Sequence, residues 1–207
     1  MLRIFIVKSP TATTSPNFPL KGIAGATGRL DVICRSIISA FKLKSGFRRN
    51  TVFYGVLCGP PQPPLTVVVD GRKATTIPLN EIEVARVIRD LIRAYSSGET
   101  HSYSGWSIYR WDLRKVINSI LSSMRALLIY LKEDGENVEK VLNKINTYMR
   151  DYDSIVFVLG SHVDLDPDDE KILEEHNALR VSIGPYSYLS SHVITYVHYI
   201  LDTLGKR

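Results

Sequence analysis

A single carboxylate lies among arginines near the amino end of the chain, in the segment GRLDVICR. Arg29, Asp31 and Arg35 fall at the predicted start of a helix, where Asp31 and Arg35 are four residues apart on one face. One interpretation is an ion pair that contributes a few tenths of a kcal/mol. The other is functional, because Asp31 is the sole acid between Met1 and Val69. Such a carboxylate would hold an arginine in position or accept a proton from a bound base, and the sequence leaves these interpretations open.

Three predicted strands end in loops that contain glycine, namely YLKEDG, VLGSH and SIGPYSYL. Leu131, Leu159 and Ile183 would supply apolar walls, while Gly160 and Gly184 would let the backbone approach a ligand closely. Parallel sheets bind ligands beyond the carboxyl ends of their strands. Neither of the two common glycine-rich phosphate loops is present, so the slot suits a nucleoside better than a triphosphate. Ordinary turns between strands and helices are the alternative.

A basic and aromatic segment, YRWDLRK, offers a different kind of chemistry. Arg110 and Arg114 are four residues apart and lie close to Trp106, Tyr109 and Trp111. Guanidinium groups clamp phosphates, and aromatic rings stack on unpaired bases. The segment therefore indicates RNA contact, and a helix start with packed aromatic side chains is the alternative.

The acidic segment DLDPDDEKILEEH has carboxylates at alternate positions, as a calcium loop does. Asp169 replaces the glycine that such a loop requires, and Pro167 also lies inside the segment. We interpret the segment as the start of a helix capped by Asp166, and we expect no metal.

Histidines and cysteines give no sign of a metal site or a disulfide framework. The spacing of the histidines does not match that of metal ligands, and we interpret the following as structural: His162, His176, His192 and His198. Cys34 and Cys58 are interpreted as small apolar side chains.

The elements that position these residues alternate between strand and helix. Strands are predicted over 2–7, 51–57, 126–131, 154–159 and 179–183, with a hairpin over 65–77 that turns at Asp70-Gly71. Helices are predicted over 30–41, 80–95 with Asn80 as N-cap, 113–123, 137–149, 167–176 and from about 188 onward. CGPPQPP is predicted to be a turn and 96–112 an irregular loop. This alternation predicts an α/β fold, with a mostly parallel sheet and helices on both faces, in one domain over 1–207.

Composition narrows the class of protein further. The chain has 207 residues, 44% of them hydrophobic, and a net charge of +5. No apolar run is long enough to span a membrane, so we expect a soluble, cytoplasmic protein. The part from 1 to 125 is basic, which favours a polyphosphate partner such as a nucleic acid, although charge alone does not exclude an acidic protein.

Four segments occur in the order and spacing of a known family: GATGRLDVICRSIISAF, RRNTVFYGVLCGPPQPP, IVFVLGSH with DEKIL, and RVSIGPYSYLSSHVIT. On these motifs the chain resembles the archaeal tRNA pseudouridine-N1-methyltransferases over essentially its whole length. The resemblance implies a homodimeric, S-adenosylmethionine-dependent RNA methyltransferase of the SPOUT superfamily. It also implies a trefoil knot over about 126–207 and a substrate pseudouridine in the tRNA T-loop, position 54 in tRNA numbering. A Nep1-like rRNA pseudouridine methyltransferase and a non-catalytic RNA-binding protein are the alternatives.

The resemblance also implies roles for individual residues. The knot loops would hold the cofactor through Leu131, Leu159, Gly160, Ile183, Gly184, Pro185, Tyr186, Ser187, Tyr188, Leu189 and Val193. The RNA would be held by Arg29, Arg35, Arg48, Arg49, Arg110 and Arg114. Asp31 is the candidate catalytic residue, which accepts or orients the N1 proton of the base. Ser161 and Val193 depart from the family's usual Asp and Cys, which puts single cofactor contacts in doubt.

Overall fold

In the chain's computed structural model, the strands of the described residues join in one seven-stranded sheet. The structure describes residues 1–101, 103–141 and 151–204. The strands are β1 (Leu2–Ser9), β2 (Thr51–Leu57), β3 (Leu65–Asp70), β4 (Trp106–Tyr109), β5 (Ala126–Asn137), β6 (Ser154–Gly160) and β7 (Leu179–Ser182). The helices whose whole length is described are α1 (Ile23–Ala26), α2 (Leu30–Phe41), α3 (Glu81–Ser97), α4 (Leu113–Ser123), α5 (Pro167–Glu175) and α6 (Ser190–Leu204).

The sheet is mostly parallel, in the order β4-β3-β2-β1-β6-β5-β7. Strand β1 pairs in parallel with β2 and β6, and β5 pairs in parallel with β6 and β7. Antiparallel pairing is confined to the β4 end, where β3 lies between β2 and β4. The predicted α/β class and mostly parallel sheet are thus confirmed.

Helices cover both faces of the sheet because buried side chains alternate along its strands. Phe5 and Val7 pack toward α2, α3 and α6 in one apolar core. Ile4 and Ile6 point the other way and pack with α4 and Leu173 of α5. Strands buried on both faces require near-continuous apolar runs, which is what the sequence of β1 and β6 supplies.

Two predicted features of the β3 region are wrong. Asp70-Gly71 does not turn a hairpin, because residues 71–77 form no strand and β3 pairs with β2 and β4. The Asp70 carboxylate instead accepts hydrogen bonds from the backbone N–H and guanidinium of Arg72. The supposed irregular loop contains β4, whose four residues are too few to show a strand pattern. The prediction of a turn at CGPPQPP is confirmed, since this segment joins β2 to β3.

Most helix predictions are confirmed, along with their caps. The side chain of Asn80 accepts a hydrogen bond from the Glu83 N–H at the start of α3. Asp166 and Asp169 form a capping box at the start of α5, which supports a helix start over a calcium loop. The last helix begins at Ser190, slightly later than predicted. Of the helix predicted over 137–149, residues 138–141 are helical and 142–149 lie outside the described residues.

No helix within the described ranges is both long and apolar enough to cross a membrane. The same ranges hold no group of three or more His, Cys, Asp or Glu side chains arranged to bind a metal ion.

Candidate active site

A cavity of about 360 Å³ lies beside the carboxyl ends of β6 and β7 and the irregular stretch of β5 that follows Leu131. Its apolar walls come from Leu131 within β5, Leu159 near the end of β6 and Ile183 just after β7. All the predicted cofactor residues except Pro185 line this cavity, including Gly160, Gly184, Tyr186, Ser187, Tyr188, Leu189 and Val193. The structure therefore brings together loops that lie far apart along the chain, while their contact with a cofactor stays a prediction.

The loops around the cavity are tied to one another by short polar contacts. Ser190, the first residue of α6, donates hydrogen bonds to the carbonyl oxygens of Gly160 and Ser161 at 2.9 and 2.5 Å. The Ser182 hydroxyl donates to the Gly184 carbonyl at 2.9 Å and accepts from the Gly184 N–H at 3.1 Å. Gly184 has a φ of 154°, and a Cβ there would crowd the ring of Tyr188. Glycine is needed at this position because the loop folds back on itself.

An arginine wall forms the opposite side of the cavity, where Arg29, Val32 and Arg35 project from the start of α2. Arg29 precedes the helix with φ 70° and ψ 34°, a left-handed conformation that is uncommon for a residue with a side chain. Backbone held in such a region often marks a functional site.

The buried carboxylate of Asp31 binds both arginines of this wall. Its side chain is only 2% exposed, and it accepts hydrogen bonds from Arg29 Nε at 3.0 Å and Arg29 Nη2 at 3.3 Å. Arg35 donates to Oδ2 of the same carboxylate, the oxygen that also accepts from Arg29 Nη2. The hydrogen bond with Asp31 also raises the pKa of Arg29, so this guanidinium remains charged. The cluster is thus a fixed pair of cations that faces the cavity.

The remaining predicted RNA contacts lie away from the cavity. Arg48 precedes β2 at the amino edge of the sheet, where its side chain donates to Asp202 at 2.6 Å. Arg49 donates to the Ala74 carbonyl and lies over the Phe47 ring.

The two arginines of the aromatic segment lie nearer to the carboxyl edge. Exposed Arg110 directly follows β4, which ends at that edge but four strands from β6. Arg114 pairs with Glu175 at 2.6 Å. The structure brings only Arg29 and Arg35, of the predicted arginines, to the cavity, and the RNA-binding role of all of them stays a prediction.

Several cavity residues were not predicted from the sequence, and His162 is the most informative of them. The structural interpretation is confirmed for His198, which is buried against Arg3 and Ala40, and for His176, which contacts Ile172 and Asn118. His162 is exposed and lines the cavity instead. Its position just after the carboxyl end of β6 was the available signal, since the side chains at strand ends face the ligand site in such sheets.

Comparisons with known proteins agree with this architecture. A family model described as "Putative SAM-dependent RNA methyltransferase" matches residues 2–206, where SAM is S-adenosylmethionine. The sheet, the cavity beyond its carboxyl edge and this match define the class, which is that of the SAM-dependent RNA methyltransferases.

Two relatives define the family more narrowly. The tRNA (pseudouridine(54)-N(1))-methyltransferase of Pyrococcus abyssi is 36% identical over 99% of both chains. The protein of the same name from Methanococcus aeolicus is 34% identical over 96% of both chains. The chain belongs to this family of archaeal tRNA (pseudouridine(54)-N(1))-methyltransferases. A crystal structure of Archaeoglobus fulgidus Nep1 bound to S-adenosylhomocysteine matches the whole chain with a TM-score of 0.64 and 14% identity, which is a likeness of fold.

Proposed function

We propose that this chain transfers a methyl group from S-adenosylmethionine to N1 of the pseudouridine in the T-loop of tRNA. The observation that carries the proposal is that one cavity joins the apolar strand-end loops to the Arg29–Asp31–Arg35 cluster. An apolar slot suits the adenosine of the cofactor, and fixed cations suit the phosphates beside a target nucleotide. The family to which the chain belongs carries the name of this reaction.

The residues of the cavity fit the cofactor. Its volume of about 360 Å³ falls in the range of small-molecule sites, about 300–1,000 Å³. Leu131, Leu159 and Ile183 would flank the adenine, and the backbone around Gly160 and Gly184 would supply polar partners. When bound, the cofactor supplies an electrophilic methyl group on a sulfonium ion.

The chain's own contribution to the reaction is mainly to position the base. Methyl transfer requires N1 in line with the reactive methyl group, and correct orientation supplies much of the rate of such reactions. Arg29 and Arg35 would hold the flipped nucleotide at the mouth of the cavity. Asp31 is buried, accepts three hydrogen bonds from these arginines and does not itself line the cavity, so its proposed role is to orient them.

We also propose that the chain is a cytoplasmic homodimer with a knotted carboxyl-terminal part. The knot is supported by the family resemblance. It is also supported by the hydrogen-bond contacts between Ser190 of α6 and the backbone carbonyls at the end of β6. The dimer is supported by exposed apolar side chains at the start of α6 and along it, since Leu189 is 58% and Tyr199 64% exposed. Sedimentation velocity should show a dimer that Tyr199→Glu converts to monomer, and a monomeric unsubstituted protein would contradict the dimer.

The reaction is tested with labelled S-adenosylmethionine and two matched tRNA transcripts. One carries pseudouridine at the T-loop position and the other carries uridine. Labelling of the pseudouridine transcript alone is the expected result. If neither transcript is labelled although tRNA binds, ribosomal RNA is the next substrate to try, and failure there too would indicate a non-catalytic RNA-binding protein.

A further inference from the structure

The two walls of the cavity come from distant parts of the chain, and a hydrogen-bonded contact joins them at one rim. The predicted cofactor loops include Gly160–His162, and the arginine wall begins at Arg29, which directly follows Gly28. Thr11, in the loop after β1, lies between the two.

The donors and acceptors of the contact can be assigned from its partners. The Thr11 hydroxyl donates to the Gly28 carbonyl at 2.7 Å, so its oxygen is left to accept from His162 Nε2–H at 3.3 Å. A neutral histidine with a proton on Nε2 has an acceptor at Nδ1, and the Ser161 hydroxyl lies 3.1 Å from that atom. A continuous path therefore runs from Ser161 through His162 and Thr11 to Gly28.

Tight packing fixes the Thr11 end of this path. A Cβ on either Gly28 or Gly59 would overlap the backbone carbonyl of Thr11, so these glycines let three chain segments meet without a gap. The Gly59 N–H also donates to the Ala12 carbonyl at 2.9 Å. Thr11 is thus held by the backbone on two sides.

The Gly28 end of the path leads directly to the arginine cluster. Gly28 and Arg29 both have positive φ, at 58° and 70°, and they form the turn that enters α2. The direction of the Arg29 side chain depends on this turn, because Arg29 has few other backbone conformations compatible with the helix that follows. The hydrogen bond from Thr11 to the Gly28 carbonyl therefore helps to set the direction of the Arg29 side chain.

We propose that Thr11 and His162 are positioning residues that couple cofactor binding to RNA binding, an inference that rests on the proposed function. A cofactor that orders the loop Gly160–His162 fixes His162, and through Thr11 and Gly28 it favours the arginine arrangement that receives RNA. Coupling of this kind is reciprocal, so bound RNA raises cofactor affinity by the same factor.

The test measures the affinity for S-adenosylhomocysteine by calorimetry, on the free protein and on protein saturated with pseudouridine-containing tRNA. The unsubstituted protein should bind more tightly in the presence of tRNA. The quantity compared is the ratio of the affinity with tRNA to the affinity without tRNA. Thr11→Val removes the hydroxyl at nearly constant volume and should reduce this ratio about two- to tenfold, the range of one hydrogen bond. Thr11→Ser keeps the hydroxyl and should restore it.

Thr13→Val is the matched control, because Thr13 lies on the same loop and donates to the Pro60 carbonyl at 3.0 Å without contacting His162. Its ratio should equal that of the unsubstituted protein. His162→Phe is a second variant, at an exposed position where folding is not at risk, and it should reduce the ratio as Thr11→Val does.

The outcomes separate this proposal from the proposed function. If both ligands bind and the affinity ratio of Thr11→Val or of His162→Phe equals that of the unsubstituted protein, the proposed coupling is wrong. The proposed function would still stand. Failure of the unsubstituted protein to bind either ligand would overturn both proposals.

Discussion

Asp31 holds two arginines that line the cavity. Its carboxylate is buried, yet both guanidinium groups extend from it toward the cavity. A single side chain thereby holds two cations beside the cavity.

We expect Asp31→Ala to lower the single-turnover rate of methyl transfer about 10- to 100-fold, because hydrogen bonds to charged groups contribute about 1.5–3 kcal/mol. The affinity for S-adenosylmethionine should remain unchanged, since the cofactor loops lie on the other wall. Rapid-quench assays and calorimetry measure the two quantities. Glu81→Gln is the control, because Glu81 contacts Arg35 only at 3.8 Å and should matter little. An unchanged rate in Asp31→Ala would remove Asp31 from the mechanism.

His198 makes a separate contribution, to stability rather than to the site. It is 3% exposed, its Nδ1 accepts from Arg3 at 3.0 Å, and its Nε2 donates to the Ala40 carbonyl at 3.0 Å. Burial, together with the positive charges of Arg48 and Arg3, lowers the pKa of His198 to about 3. The folded protein therefore keeps this histidine neutral where the unfolded chain takes up a proton.

The free energy of unfolding should fall as the pH drops from about 6.5 toward about 3, by at most about 1.4 kcal/mol per pH unit from this residue. His198→Gln removes the titrating group, and its stability should depend less steeply on pH. Urea unfolding of both proteins between about pH 7 and pH 4.5 measures the difference, in a range above most carboxylate titration. Parallel stability curves would show that His198 does not account for the acid sensitivity.

At the scale of elements, the start of α5 connects the cavity to the centre of the sheet. Lys8 at the end of β1 donates to Asp166 at 3.0 Å and to Asp169 at 2.5 Å, and these two residues also cap the helix. Burial raises the pKa of Asp169, and the hydrogen bond from Lys8 opposes that shift. This arrangement anchors the far end of the segment that runs from Gly160 along the cavity to α5.

Asp166→Ala should lower the free energy of unfolding by about 0.5–2 kcal/mol, because the helix loses its N-cap. Asp168→Ala removes an exposed carboxylate that lies in the same turn but does not cap the helix. This change should lower the free energy of unfolding by less, about 0.3–1 kcal/mol. Urea denaturation of the two variants compares these effects directly. Equal losses would mean that the charge in the first turn, and not the cap, stabilises α5.

At the scale of the whole molecule, exposed arginines lie at both edges of the sheet, and of Arg110 and Arg125 only Arg110 is a predicted RNA contact. Arg110 follows β4 at the carboxyl edge, on the same side as the cavity. Arg125 precedes β5 at the amino edge, where it pairs with Asp153 at 3.3 Å. A tRNA that reaches the cavity approaches the carboxyl edge, so the two exposed arginines should differ in their effect.

Arg110→Ala should weaken tRNA binding and reduce the slope of log K against log salt by about one, the change expected for one phosphate contact. Arg125→Ala should leave the slope unchanged. Binding titrations at several salt concentrations measure both variants. If Arg110→Ala also kept the original slope, Arg110 would be a structural residue.

The local sequence pattern was enough to predict many of the strands, helices and helix caps of this protein. The apolar runs of β1 and β6, the helical spacing of α2 and α4, and the caps at Asn80 and Asp166 depend on neighbours a few residues away. Such features can be predicted because strand and helix periods are properties of short segments. The strand-end loops followed from the same periods, since a parallel sheet places its carboxyl ends together.

Contacts between distant residues decided the rest. Arg48 and Arg49 are neighbours in the sequence, but the fold places them away from the cavity, where Arg48 pairs with Asp202 and Arg49 with the Ala74 carbonyl. Asp70-Gly71 has the residues of a hairpin turn, yet β3 finds its partners in β2 and β4. His162 gave no local signal beyond its place after a strand. These outcomes depend on which segments pack together across the sheet, and that choice is a property of the whole core rather than of any short stretch of sequence.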